Sequence, residues 1–219
     1  MLGHVKPGLF EGDYLNAIAY IQSNLNITEV IFSGGDPLMV NDTLLSSVLK
    51  RLERISHIQS LRFHTRVPVT LPSRLDRNLV RVLSRIAHPC RLVTHFNHPK
   101  EITPESTKAC SLLLHGNIQV MNQSVLLRGV NDSPDTLAKL WKNLHAIGVQ
   151  NYYLHHPDRA YGTHHFTISM EEGLAIYSSA KSLLPTSQVP RYVVDLGNSE
   201  SKTDVSSIAQ NSGKIIYGA

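Results

Sequence analysis

The feature that most constrains this chain is its rhythm. Short apolar, β-branched runs alternate with amphipathic helical stretches along nearly all of the sequence. Runs at 27–33, 60–64, 91–96, 118–126, 149–154 and 189–195 have the length and composition of buried strands, and 214–217 is expected to be a last one. Helices are expected at 41–55, 76–87, 104–115, 133–147 and 169–184. In the first of these, Leu44, Leu45, Val48, Leu49 and Leu52 form the apolar stripe, and Asp42 or Thr43 caps its start. Gly116 and Gly148 stand where two of the helices should close.

A strand–helix–strand rhythm implies a parallel sheet covered by helices. About six such units without a Rossmann glycine fingerprint favour an α/β barrel, complete or partial, over an open doubly wound sheet. Barrel chemistry gathers at the C-terminal strand ends. Those positions are polar here: Ser33-Gly34-Gly35-Asp36, His64-Thr65-Arg66, His95 to His98, Asn122-Gln123-Ser124, His155 to Asp158, and Asp195 to Lys202.

Composition excludes several function classes. Hydrophobic residues make up 42% of the 219 residues and charged residues 17%, as in a globular protein, and 1–219 reads as one domain. No apolar run reaches membrane-spanning length, residues 1–7 lack the apolar core of a secretory signal, and a cytoplasmic location is expected. A net charge of +4 with scattered basic residues and 6% aromatics argues against nucleic-acid binding. Cys90 and Cys110, the two cysteines, are too far apart for a CxxC-type metal motif and are expected to be buried small residues. The twelve histidines show neither HxH nor HExxH spacing, so no zinc site is expected.

Three features carry candidate chemistry. The two glycines of Ser33-Gly34-Gly35-Asp36-Pro37 let the backbone pass close to a ligand, and the turn's amides and carboxylate could hold a carboxylate or an ammonium. Asp158 and Asp195, each just past a strand, would suit a cationic substrate. Lys202 lies seven residues beyond Asp195 in a loop of small polar residues, where a lysine can condense with an aldehyde cofactor. Each has a plain structural alternative: a tight turn, a capping aspartate, a solvated lysine.

Taken together, several segments resemble the lysine 2,3-aminomutase family of radical SAM, pyridoxal phosphate-dependent enzymes. They are Glu29 to Leu38, His64 to Pro68, Thr94-His95-Phe96-Asn97-His98-Pro99 with Glu101-Ile102-Thr103, Asn122 to Asp132, and Tyr152-Tyr153 followed by Asp158, Gly162, His165 and Phe166. The resemblance begins near residue 13 and implies a partial (β/α) barrel of the radical SAM type. It matches Ser33, Gly34, Gly35 and Asp36 to the glycine motif that binds the methionyl end of S-adenosylmethionine, and His95 and Gln123 to positions near the same cofactor. Asp158 and Asp195 match the aspartates that hold the side-chain ammonium of lysine, and Lys202 matches the catalytic, pyridoxal phosphate-carrying lysine. The implied reaction moves the α-amino group of lysine to the β carbon, initiated by a 5′-deoxyadenosyl radical. A small amino acid is the implied partner. A homo-oligomer is left open, as is a lysine of elongation factor P as substrate.

The family also carries a CxxxCxxC loop for a [4Fe–4S] cluster, and this chain has no such triad. No metal ligands are therefore assigned, and the first barrel strand and the cluster loop are expected to be missing through N-terminal truncation. This chain alone is expected to be inactive. A non-catalytic module that binds pyridoxal phosphate or an amino acid is the alternative. The loop at 197–201 also lacks the proline and the several glycines common in the family, although the Asp195–Lys202 spacing is kept.

Overall fold

A computed structural model describes residues 11–158, 161–195, 202–205 and 207–208. The expected strand at 214–217 and the loop at 197–201 lie outside the described residues. The chain divides into two compact units, one built from the described residues of 1–94 and 103–121, the other from those of 95–102 and 122–219. Seven strands follow chain order, β1-β2-β3-β4-β5-β6-β7.

The first unit opens with helix α1 (Glu11–Ser23), which the sequence reading leaves unassigned. It continues through β1 (Glu29–Phe32), α2 (Asp42–Leu52), β2 (Ser60–His64), the single turn α3 (Val67–Thr70), α4 (Arg77–Ser84), β3 (Cys90–Thr94) and α5 (Pro104–His115). β1 pairs with β2, and β2 with β3, all parallel, with Phe32 level with Phe63 and His64 level with Val93. Capping side chains set the helix starts: Asn41 accepts from the Leu44 amide at 2.8 Å, and Asp76 from the amides of Asn78 and Leu79. At α5, Thr103 and Ser106 cap each other reciprocally behind Pro104.

β2 alternates cleanly. Leu61 and Phe63 are fully buried, while Ser60, Arg62 and His64 on the opposite face are half-buried. The charge on that face is paired. Arg62 Nη2 donates to Glu29 Oε2 at 2.5 Å, and Arg91 Nη1 stands 3.6 Å from Glu29 Oε1. Gly116 closes α5 differently from a left-handed glycine cap. The positive φ falls on Asn117 (58°), and a Cβ on Gly116 would meet Ser84 Oγ and Val80 Cγ1 at 2.6 Å. Glycine stands there because α4 approaches too closely for any side chain.

β4 (Gln119–Val125) runs from the first unit into the second. There follow α6 (Pro134–Ala146), β5 (Gln150–His155), α7 (Met170–Ser182), β6 (Arg191–Val194) and a short β7 (Thr203–Asp204). β5 and β6 are parallel; β7 runs antiparallel to β6. Trp141 on α6 is fully buried and meets Tyr177 of α7 edge-on at 6.0 Å, and Tyr177 stacks on Tyr192 of β6 at 5.3 Å. α7 can lie this close because Gly173 has no side chain: a Cβ there would sit 2.2 Å from the Tyr192 hydroxyl. That hydroxyl and His156 Nδ1 share a hydrogen bond at 2.7 Å.

Burial lowers the pKa of His156 below its ordinary 6.5, against the opposing pull of Asp158 and Glu171. The unfolded chain therefore binds the proton more readily. The stability contributed by the neutral ring is complete above pH 6.5 and is lost as pH falls through the folded value. Thermal unfolding at stepped pH should show a fall below that point that is smaller in His156→Gln, which keeps an acceptor for Tyr192 but does not titrate. Identical pH slopes in the two proteins would contradict this account.

Candidate active site

In the first unit, the turn after β1 is shaped by two residues in the left-handed region, Gly34 (φ 85°) and Gly35 (φ 56°). A Cβ on either would meet nothing within 4 Å, so backbone conformation demands glycine there, and the space over the turn is open to a ligand. Ser33, Gly34 and Gly35 are exposed. Asp36 is occupied within the protein. Its Oδ1 accepts from the Leu38 amide at 3.1 Å and from Thr65 Oγ1 at 2.6 Å, and its Oδ2 accepts from the Arg66 amide at 2.8 Å. The carboxylate thus ties the loop after β1 to the loop after β2. What the turn presents outward is backbone and the Ser33 side chain, the donor set that suits a carboxylate or phosphate.

In the second unit, His95 and Gln123 are brought together. The Gln123 amide nitrogen lies 2.5 Å from His95 Nε2, and Gln123 is 5% exposed. Both are held by a network of asparagines. Asn122 accepts from the Phe96 amide at 2.7 Å, donates to the Phe96 carbonyl at 3.1 Å and donates to Ser124 Oγ. Asn97 accepts from the Val125 amide at 2.8 Å. Asn131, fully buried, accepts from the Leu127 amide and donates to the carbonyls of Asn97 and Val125 at 2.7 and 2.9 Å. The two sequence motifs at 94–99 and 122–132 are therefore two halves of one clamp, each asparagine satisfying backbone groups of irregular loops.

Lys202 is placed by β7. Val193 pairs with Asp204 and Val194 with Thr203, so the next step of the antiparallel ladder sets Lys202 opposite Asp195. Its Nζ lies 3.1 Å from His155 Nε2 and 4.8 Å from the centroid of the Tyr153 ring. His155 and Tyr153 share one face of β5 at i and i+2, their rings edge-on at 5.7 Å. Asp158 and Asp195, both exposed, stand just beyond the C-terminal ends of the adjacent parallel strands β5 and β6. His155 is level with Val193.

The sequence reading places Thr65 and His155 at polar strand ends and Tyr153 in a family-like segment, but gives none of the three a role. Thr65 is visible only once the Asp36 carboxylate is seen to face it. His155 and Tyr153 carry a signal, since both lie on one strand face at a C-terminal end, but a partner for them requires β7. The sequence reading assigns no element to 203–204, where that strand lies.

The residues present fit pyridoxal phosphate and S-adenosylmethionine at the level of donor chemistry: an amine beside a base and a ring face, and a glycine turn with open space over it. They do not fit an iron–sulfur cluster. Burial pushes the thiols of Cys90 and Cys110 up to about 12, away from the thiolate a metal needs. Among the described residues no group of three His, Cys, Asp or Glu side chains could hold a metal ion, and no helix is long and apolar enough to cross a membrane.

The same fold occurs in solved radical SAM proteins. A radical SAM methyltransferase from Sphaerobacter thermophilus superposes with a TM-score of 0.55 at 18% identity, over 85% of this chain and 57% of its own. Native anSMEcpe with bound AdoMet gives 0.59 at 11% identity, over 84% and 54%. This is the α/β partial barrel of the radical SAM type. No family model matches the chain. Among curated proteins it is 40% identical over 203 residues to L-lysine 2,3-aminomutase of Acetoanaerobium sticklandii, across 91% of this chain and 49% of that protein. It is 45% identical to the enzyme of that name from Methanococcus maripaludis, across 82% and 41%, and 41% identical to that of Haemophilus influenzae, across 85% and 55%. Over the stretch they share, the chain is similar to these L-lysine 2,3-aminomutases, and it spans about half their length.

The asparagine clamp gives a direct test. Asn131→Ala strands one amide and two carbonyls inside the protein. It should lower stability by about 3 kcal/mol in urea unfolding. A loss below about 1 kcal/mol would show that water replaces the side chain.

Proposed function

We propose that this chain supplies the S-adenosylmethionine-, pyridoxal phosphate- and lysine-binding part of an aminomutase that moves the α-amino group of lysine to the β carbon. The carrying observation is the return of Lys202, just before β7, to the level of Asp195, beside the ends of β5 and β6. That placement sets one amine and two exposed carboxylates at the C-terminal edge of parallel strands, where barrels hold their chemistry.

In this reading Lys202 anchors pyridoxal phosphate, which supplies a conjugated ring able to delocalise an unpaired electron. Asp158 and Asp195 hold the side-chain ammonium of the substrate and fix its reacting end relative to Lys202. Two carboxylates favour a cationic side chain over a neutral or acidic one. Ser33 and the backbone of Gly34 and Gly35 hold the methionyl end of S-adenosylmethionine, the radical source, while Asp36 fixes their turn. His95 and Gln123, locked by the clamp, match family positions assigned to the same cofactor. Two cysteines cannot supply three thiolates, so the electron that cleaves S-adenosylmethionine does not come from a cluster held by this chain's own thiols.

The test is a visible spectrum with pyridoxal phosphate. A band fixed by borohydride as an adduct on Lys202, identified by peptide mass spectrometry and absent in Lys202→Ala, is the expected result. Asp158→Asn and Asp195→Asn should keep the band and weaken L-lysine binding, read by calorimetry, by about 10- to 100-fold each. An adduct distributed over surface lysines, with Lys202→Ala unchanged, would refute the assignment. Unchanged lysine affinity in both asparagine variants would refute the substrate.

A further inference from the structure

Two cations meet at the ring of Tyr153. Lys202 Nζ lies 4.8 Å from its centroid, and the guanidinium of Arg191, the first residue of β6, lies 5.8 Å from the same centroid. Register explains the meeting. Tyr153 is level with Arg191 and His155 with Val193, so Tyr153, His155 and Arg191 share one face of the sheet. The ring attracts each cation, but the cations repel each other.

The two differ in what balances them. Lys202 has the Asp195 carboxylate level with it and the His155 imidazole 3.1 Å away. Arg191 is exposed and makes no ion pair among the described residues. Of the two arginines described in this unit, Arg128 is engaged by both oxygens of Glu172 and by the Thr167 carbonyl. Arg191 therefore offers the open guanidinium near Lys202. The carboxylates of the ladder stand further along: Asp204 is level with Val193, and Asp195 lies two residues beyond it. Charge is thus graded along the strands, with a cation at the start of β6 and carboxylates toward its end. An anion that reaches Lys202 is drawn toward Arg191 and repelled from the other side.

Pyridoxal phosphate brings such an anion. Its aldehyde and its phosphate arm stand on neighbouring ring carbons, so the partner of the phosphate must lie close to the amine that meets the aldehyde. A guanidinium suits a phosphate because its forked N–H groups pair with two oxygens at once. We infer that Arg191 is a phosphate-binding residue of this site, pairing with the phosphate of pyridoxal phosphate while the aldehyde meets Lys202. The inference rests on the reading of Lys202 as the cofactor lysine. It adds a residue to which neither the sequence motifs nor the relatives' names assign a role.

A pair of aldehydes tests it: pyridoxal phosphate, and 5-deoxypyridoxal, which keeps the ring and the aldehyde but has no phosphate. Each is titrated against the protein, and the adduct at Lys202 is fixed by borohydride and counted by peptide mass spectrometry. Arg191→Gln should weaken pyridoxal phosphate by about 10- to 100-fold and leave 5-deoxypyridoxal unchanged. Inorganic phosphate should compete with pyridoxal phosphate in the parent and not with 5-deoxypyridoxal. Lys181→Gln, which removes an exposed cation from α7 of the same unit, should change neither aldehyde. Equal losses for both aldehydes in Arg191→Gln would mark a general disturbance of the site and overturn the inference. So would an unchanged preference for the phosphate, or an equal effect from Lys181→Gln. In each of those cases the adduct at Lys202 still forms in the parent and the cofactor reading stands. No adduct at Lys202 with either aldehyde would refute that reading, and this inference with it.

Discussion

The reciprocal clamping of backbone by asparagine is the interaction on which the second unit depends. At the ends of β3 and β4 the chain leaves the regular ladder, and backbone amides and carbonyls lose their partners. Water could satisfy them on a surface, but Phe96, Asn122, Ser124 and Asn131 are buried. Asparagine is suited to this because one side chain carries both an acceptor and a donor and is short enough to be held rigidly. Asn122 serves the amide and the carbonyl of one residue, Phe96, while Asn131 bridges Leu127, Asn97 and Val125. The side chains that point out of this scaffold, His95 and Gln123, are thereby fixed relative to each other without either having to stabilise the loops itself.

A second constraint is strand direction. Parallel strands send all their C-termini to one edge of a sheet, so every following loop delivers its side chains there. β7 breaks the pattern by running antiparallel, and the reversal has a consequence. Its N-terminal end, not its C-terminal end, lies at that edge, so Lys202, just before Thr203, arrives beside the end of β6. A parallel strand with the same sequence would carry Lys202 to the far side of the sheet from Asp158 and Asp195.

The alternation of strand and helix was legible because its causes are local: β-branched apolar runs, amphipathic stripes, and capping residues such as Asn41, Asp76 and Thr103. The expected 60–64 and 104–115 coincide with β2 and α5, while 41–55 and 76–87 exceed α2 and α4, since propensity persists where hydrogen bonding has already turned to caps, as at Asn41 and Asp76. What was not legible depended on distant residues. α1 has no strong amphipathic signature. β7 is two residues long and exists only because β6 offers it a ladder. Gly116 looked like a left-handed cap, yet its cause lies on α4, in Ser84 and Val80. Asp36 read as a ligand group, and only the fold shows its oxygens held by Thr65 and Arg66. The clamp was hidden for the same reason. Its two halves stand more than twenty residues apart, and nothing in either says what its asparagines bond to.

Lys202 meets an imidazole and a ring face as well as the carboxylate level with it. A carboxylate at contact distance stabilises an ammonium and keeps its proton in place. An imidazole holds a proton far less tightly than an amine does, so beside an ammonium it serves as a hydrogen-bond acceptor. The aromatic face of Tyr153 adds attraction for the cation without providing a site for the proton. These groups meet along one edge, with His155 at the end of β5 and the exposed Asp158 and Asp195 just beyond β5 and β6. Register sets Lys202 among them, since His155 is level with Val193 and Val194 pairs with Thr203. A one-residue slip of β7 would turn Lys202 to the opposite face of the sheet and separate it from His155 and Asp195 alike.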